Sequence, residues 1–255
     1  MVKLSSIPTD YFRGSYYDSE YFRGLEGGKS FRQSNGSISK WSYYNLSGEW
    51  LGCKQITEAW KEIFSPINLL DVGCGRGQIV AYARDIRIEA EGFDFSEWAI
   101  GDEGRFARTR KEWVRVHDAT EKWPYDDKSF DVVSALDFFE HIYEDDVDFV
   151  VSEIYRVARK WIFLQIAVSE TSGLMGRHEL GYSFKKDEVV PIELEGCAVS
   201  GHVTVQPEEF WIEKFESEKS FLRRDMKNWF VSLVDNNILM NWLKNSILVY
   251  EIFED

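Results

Sequence analysis

The sequence is poor in the residues that build small cross-linked scaffolds. Only three of 255 residues are cysteine: Cys53, Cys74 and Cys197. Their number is odd and no two form a C-x-x-C pair. That argues against a disulfide framework and favours a reducing compartment. Histidine is also scarce, with four in the chain. The spacing of His178, Glu179, Cys197 and His202 matches no compact zinc pattern, so no metal is expected. No run approaches the ~18 apolar residues of a membrane span. Met1–Asp10 lacks the apolar core of a secretory signal. A soluble, cytoplasmic protein is the expectation. Positive charge is in deficit as well: 30 Lys and Arg face 44 Asp and Glu, for a net charge of -14. Such a surface repels phosphate backbones and makes nucleic acid an unlikely partner. The one basic cluster (Arg105, Arg108, Arg110, Lys111, Arg115) reads as a solvated helix face.

What is plentiful is aromatic. Phe, Trp and Tyr make up 16% of the chain, enough to furnish a pocket as well as a core. They crowd residues 1–50 (Tyr11, Phe12, Tyr16, Tyr17, Tyr21, Phe22, Trp41, Tyr43, Tyr44) without a sustained period. That stretch reads as an arm or lid folding over a main domain at 51–255.

From Cys53 the pattern becomes regular. Residues 54–64 carry apolar positions at helical spacing, and Pro66 ends that helix. Apolar runs at 67–72, 89–95, 113–117, 130–136, 161–168 and 247–253 read as strands. Helices are expected at 77–85, 96–109 with Ser96 as N-cap, 144–160, 207–215 and 225–243. This alternation argues for a parallel sheet with helices on both faces. Residues 169–206 break the rhythm and read as an insertion.

The most informative stretch is Leu69-Leu70-Asp71-Val72-Gly73-Cys74-Gly75-Arg76-Gly77. It puts glycines at a strand-to-helix turn, where doubly wound folds bind nucleotides. A dinucleotide fingerprint needs a third glycine at 78, but Gln78 stands there. A phosphate-binding loop with Gly-Lys-Ser/Thr is absent.

This turn resembles the first motif of class I S-adenosylmethionine-dependent methyltransferases. Other stretches agree in order. Asp94 ends the second strand, 21 residues after Gly73. Asp118-Ala119 follows the third. Ser129-Phe130-Asp131-Val132-Val133 leads to Asp137-Phe138-Phe139-Glu140-His141 at the fourth, and Gly201-His202-Val203-Thr204 precedes a later helix. The resemblance implies a Rossmann-like, doubly wound, mostly parallel seven-stranded sheet with helices on both faces. It implies S-adenosylmethionine as cofactor, with Asp71, Gly73, Cys74, Gly75 and Gly77 around its amino-acid end. It assigns Asp94 to the ribose hydroxyls, Asp118 and Ala119 to adenine, and Ala135 and Leu136 to the end of the fourth strand, while Phe95 packs either against the adenine ring or into the core.

A hydroxyl acceptor wants a general base, and histidine suits neutral pH. His141 is the first candidate and His202 the second. The Asn/Asp-Pro-Pro-Tyr turn of amino-methylating DNA enzymes is missing, as is the Pro-Cys pair of cytosine C5 enzymes. The expected acceptor is an oxygen or nitrogen of a small molecule, sugar or glycan. Two alternatives stay open: a catalytically silent binding domain and an NAD-dependent oxidoreductase. The oligomeric state is not legible.

Overall fold

The computed structural model describes residues 14–23, 28–32, 35–41, 52–169, 181–186, 188–191, 194, 198, 200–217, 219–234, 244 and 246–253. Readings that fell on His178, Glu179, Cys197, much of 1–50 and the 235–243 half of the expected last helix lie outside these residues.

In chain order the elements are α1 (Ser19–Arg23), β1 (Lys29–Arg32), β2 (Ile38–Trp41), α2 (Gly52–Phe64), β3 (Asn68–Val72), α3 (Gln78–Asp85), β4 (Glu89–Asp94), α4 (Glu97–Ile100), β5 (Val114–Val116), β6 (Phe130–Leu136), α5 (Glu144–Val157), β7 (Ala158–Gln165), β8 (Tyr182–Ser183), β9 (Thr204–Val205), α6 (Glu208–Lys214), β10 (Ser220–Leu222), α7 (Arg224–Leu233) and β11 (Ile247–Ile252). The main sheet has seven strands in the order β10-β11-β7-β6-β3-β4-β5. Strands β3 to β7 pair in parallel, and β11 runs antiparallel between β7 and β10.

Side chains alternate across this sheet as the pleat requires. Leu70, Val72, Val133, Ala135, Ile162 and Leu164 face Val147, Val150 and Ile154 of α5 and Trp211 of α6. Leu69, Val132, Phe163 and Val249 face Ile56 and Trp60 of α2, Val80 of α3 and Phe230 of α7. Both faces are thus covered, which explains why β3 and β6 read as largely apolar runs. A fully buried side chain such as Trp60 contributes of the order of 1.5–3 kcal/mol.

Three expectations need correction. The helix expected at 96–109 is a single turn, capped by Ser96 Oγ accepting the amide of Ala99. Gly101 and Gly104 follow it, and Gly104 packs so close to the Trp98 carbonyl that no Cβ would fit. The basic cluster therefore lies on no α-helix, and of its members only Lys111 enters a single 3-10 turn. Arg105 binds the Ile100 and Thr109 carbonyls, while Arg108 and Arg115 pair with Asp85 and Glu91.

The helix expected to reach Lys160 ends at Val157, and its last three residues already belong to β7. Arg159 and Lys160 do not serve the helix dipole. They pair with the buried carboxylate of Asp131. The seventh strand, β10, went unpredicted. It is three residues long and pairs with β11 at the sheet edge, too short for an alternation pattern to register.

Candidate functional site

Strand order reverses between β3 and its neighbours: β4 follows on one side and β6 on the other. Ligands of open α/β sheets bind outside the strand carboxyl ends at such a switch point. A cavity of about 230 Å³ opens there.

The loop after β3 forms one wall. The Cys74 amide donates to the Phe93 carbonyl (2.9 Å) and the Gly77 amide to the Cys74 carbonyl (2.9 Å). The Gly75 amide donates to Asp94 Oδ2 (2.8 Å), and Asp94 Oδ1 accepts from the Ser96 amide (2.8 Å). One carboxylate therefore ties the loops after β3 and β4 together. Gly75 has φ +51°, a left-handed conformation that suits glycine. A Cβ on it would meet only Phe22, at 3.7 Å, so the backbone lies open to a ligand.

Asp71, at the end of β3, is almost fully buried and accepts a hydrogen bond from Ser134 Oγ (2.7 Å). Burial pushes its carboxyl up to about 7 against the help of Ser134, and the nearby Asp94 carboxylate adds to the rise. Asp94 is raised by burial too, opposed by its backbone hydrogen bonds. Both carboxyls favour a cationic neighbour.

Of the residues singled out by sequence, Asp71, Gly73, Cys74, Gly75, Asp94, Phe95, Asp118, Ala119, Leu136 and His141 line this cavity. Gly77, Ala135 and His202 do not. Gly77 lets the loop pack against Thr109, whose hydroxyl donates to the Gly77 carbonyl (2.8 Å). Ala135 is wholly buried within β6. His202 stands behind His141, their rings edge to face at 5.0 Å.

Sequence reasoning left out several wall residues. Tyr17, Tyr21 and Phe22 come from the N-terminal segment, and Asp137, Tyr143 and Lys186 from elsewhere. The aromatic excess of residues 1–50 was the one signal for the first three. Tyr21 Oη donates to the Ser200 carbonyl (2.9 Å), and Ser96 Oγ donates to the Tyr17 carbonyl. These bonds bring residues 16–22, the 200–203 turn and the end of β6 to one place.

At that junction, His141 Nδ1 lies 3.1 Å from the Gly201 carbonyl and 3.4 Å from Tyr17 Oη. A carbonyl can only accept, so Nδ1 carries the proton and Nε2 the lone pair. Gly201 (φ +85°) admits this approach, since a Cβ there would stand 2.6 Å from Tyr17 Oη. Burial lowers His141 to about 4, and burial together with the neighbouring His141 holds His202 well below the usual imidazole range, so both rings are neutral at pH 7. Glu140, wholly buried, accepts the Ala167 amide at Oε1 (3.2 Å). Burial and the neighbouring Asp137 carboxyl push Glu140 well above the usual carboxylate range. Asp137 itself has φ +47°, a strained conformation for a non-glycine residue at a strand end.

Residues 70–161 match the family model of a methyltransferase domain. A search of curated protein sequences finds none that matches this chain. Among solved structures, the chain is similar to the plantazolicin methyltransferase BpumL crystallised with SAH and a pentazolic desmethylPZN analog, at 18% identity and a TM-score of 0.51, covering 80% of this chain and 84% of that one. The plantazolicin methyltransferase BamL, with SAH and a triazolic analog, gives 17%, 0.51, 81% and 87%. The PH0226 protein of Pyrococcus horikoshii OT3 gives 18%, 0.51, 78% and 89%. At such identities the likeness establishes the fold. Among the described residues no helix is long and apolar enough to cross a membrane.

Proposed function

We propose that the chain is a class I S-adenosylmethionine-dependent methyltransferase and that the crevice beside β3 and β6 transfers a methyl group to an oxygen or nitrogen of a small molecule, sugar or glycan. The observation that carries this reading is the continuous wall of Asp71, the 73–75 loop, Asp94 and Asp118–Thr120 around one cavity. The plantazolicin enzymes, which share the fold, are crystallised with SAH.

The residues fit that cofactor. The open backbone at Gly75 admits a methionine moiety, and Asp94 retains lone pairs for ribose hydroxyls beyond its two backbone bonds. Asp118 Oδ1 accepts the Thr120 amide and hydroxyl (2.8 Å each), which holds its side chain in the part of the cavity wall assigned to adenine. When bound, the cofactor supplies a methyl group already activated on a sulfonium. The chain then has to align the acceptor in line with that methyl and keep water out, and such positioning provides ~7–11 kcal/mol of the barrier. Ring faces of Tyr17, Tyr21 and Phe22 and the two buried carboxyls suit a cationic centre. Residues 16–22 serve as part of a lid, and His141 presents Nε2 to the acceptor side as the group that takes its proton.

Calorimetric titration with S-adenosylmethionine, SAH and NAD tests the cofactor, and transfer of labelled methyl to a panel of alcohols, amines and sugars tests the acceptor. Binding of SAH but not NAD, followed by label in one acceptor class, is the expected result. NAD binding in its place refutes the reading, and SAH binding without transfer to any acceptor reduces it to a silent binding domain.

A further inference from the structure

The sequence spacing predicted no metal, but the fold brings His202 to the adjacent pair Glu140 and His141, far away in sequence. Glu140, His141 and His202 each offer one ligand atom, and the three lie within 4.8 Å of one another. Glu140 Oε2 is wholly buried yet has no hydrogen-bond partner among the described residues. A buried carboxylate oxygen left this way costs several kcal/mol unless a proton or cation meets it. The Asp137 carboxyl stands next to it.

We propose that Glu140, His141 and His202 form a divalent-cation site behind the methyl-transfer crevice. His141 is oriented for it: its Nδ1–H is spent on the Gly201 carbonyl, the outer-shell bond that metal-ligating histidines make. Glu140 is held in the same way through the Ala167 amide on its other oxygen. The backbone reinforces the arrangement, since the Val203 amide donates to the Glu140 carbonyl (2.7 Å) and ties the turn that carries His202 to the segment that carries Glu140 and His141.

Ligand atoms of a tetrahedral zinc ion at 2.0–2.2 Å are roughly 3.4 Å apart. The triangle has to contract by roughly 1.4 Å from its longest permitted side, which small side-chain rotations supply. Two imidazoles and one carboxylate form a borderline donor set that suits Zn²⁺, Co²⁺, Fe²⁺ or Mn²⁺ better than the all-oxygen preference of Ca²⁺ and Mg²⁺. Three protein ligands leave a coordination position open, as in catalytic rather than structural sites. His141 lines the crevice, so the ion would stand where an acceptor oxygen can reach it. In that case the two imidazoles serve the acceptor through the ion and not as direct proton acceptors. That role rests on the proposed activity; binding of the ion does not.

The test uses the full, tag-free chain stripped with a chelator and desalted. Co²⁺ is titrated and followed by its visible d–d absorption, with Zn²⁺ and Mg²⁺ as competitors and SAH titrated in parallel. One Co²⁺ per chain, displaced by Zn²⁺ and not by equal Mg²⁺, is expected. Glu140→Gln and His202→Gln should each weaken Co²⁺ by roughly 100-fold or more, beyond the 10–100-fold typical of outer-shell changes. Circular dichroism melts confirm that the variants fold. A wild-type chain that takes up no Co²⁺ or Zn²⁺ overturns the site, as does Co²⁺ affinity that survives both substitutions. Failure to bind SAH alone overturns the cofactor reading and leaves the metal result standing.

Discussion

Asp71 offers a measurement of how much the cofactor loop costs the fold. Its carboxyl ordinarily titrates at 3.8 and sits at about 7 in the folded chain, raised first by burial. Below pH 3.8 both folded and unfolded chains hold the proton, so Asp71 contributes nothing to the balance. Between about 4 and 7 the unfolded chain releases its proton while the folded chain keeps it. Stability therefore falls as pH rises through this window and levels off above 7. The window spans roughly three pH steps of 1.36 kcal/mol, or ~4 kcal/mol at most. Asp71→Asn removes the titration and preserves the acceptor for Ser134 Oγ. Wild type and variant should melt together near pH 4 and diverge towards pH 8, with the variant higher by up to ~8–16 °C for a chain of this size. Asp94 is also raised by burial and leaves a residual slope of the same sign in the variant. Calorimetric melts from pH 4 to 8 decide the matter. Parallel curves for the two proteins would show that Asp71 is ionised and solvated at neutral pH, and the argument from burial would fail.

Four further outcomes are expected. Asp94→Ala leaves the Gly75 and Ser96 amides without their acceptor, so S-adenosylmethionine should bind ~1–3 kcal/mol more weakly, about 5- to 150-fold; unchanged affinity by titration calorimetry would contradict the ribose assignment. Gly75→Val puts a branched side chain at φ +51° facing Phe22, with a backbone penalty of ~1–2 kcal/mol, and should abolish cofactor binding while a circular dichroism melt still reports a folded chain; intact binding defeats it. Gly92→Ala places a Cβ within 2.8–2.9 Å of Cys74 and Val80, so urea unfolding should report a loss of ~1–3 kcal/mol, and a neutral result would mean the core yields there. Arg156→Ala removes the partner that holds Glu153 and the carbonyls of Trp123 and Tyr125, loosening the segment after Asp118 at a cost of ~2–4 kcal/mol, below the 3–5 of a fully buried pair; hydrogen exchange confined to other segments would argue against it.

The cofactor wall and the doubly wound sheet were legible because their signals are local. A parallel strand buried on both faces writes a largely apolar run, as β3 and β6 do, and a turn that must admit a ligand writes glycines. Asp71, Asp94 and Asp118 could be placed by counting from strand ends, since each sits within two residues of the end of its strand. Elements failed where the deciding contact was distant. The helix after Ser96 stops where Gly104 meets Trp98. Helix α5 yields to β7 where Arg159 and Lys160 find Asp131. Strand β10 exists because β11 offers an edge.

The acceptor side belongs to tertiary structure altogether. Tyr17, Glu140, His141, Gly201 and His202 come from three remote parts of the chain, and no spacing rule relates them. Local patterns report only what a residue's own backbone and near neighbours demand. A cluster of ligands is defined by distances through space, and those are set when the arm, the sheet end and the 200–203 turn pack together.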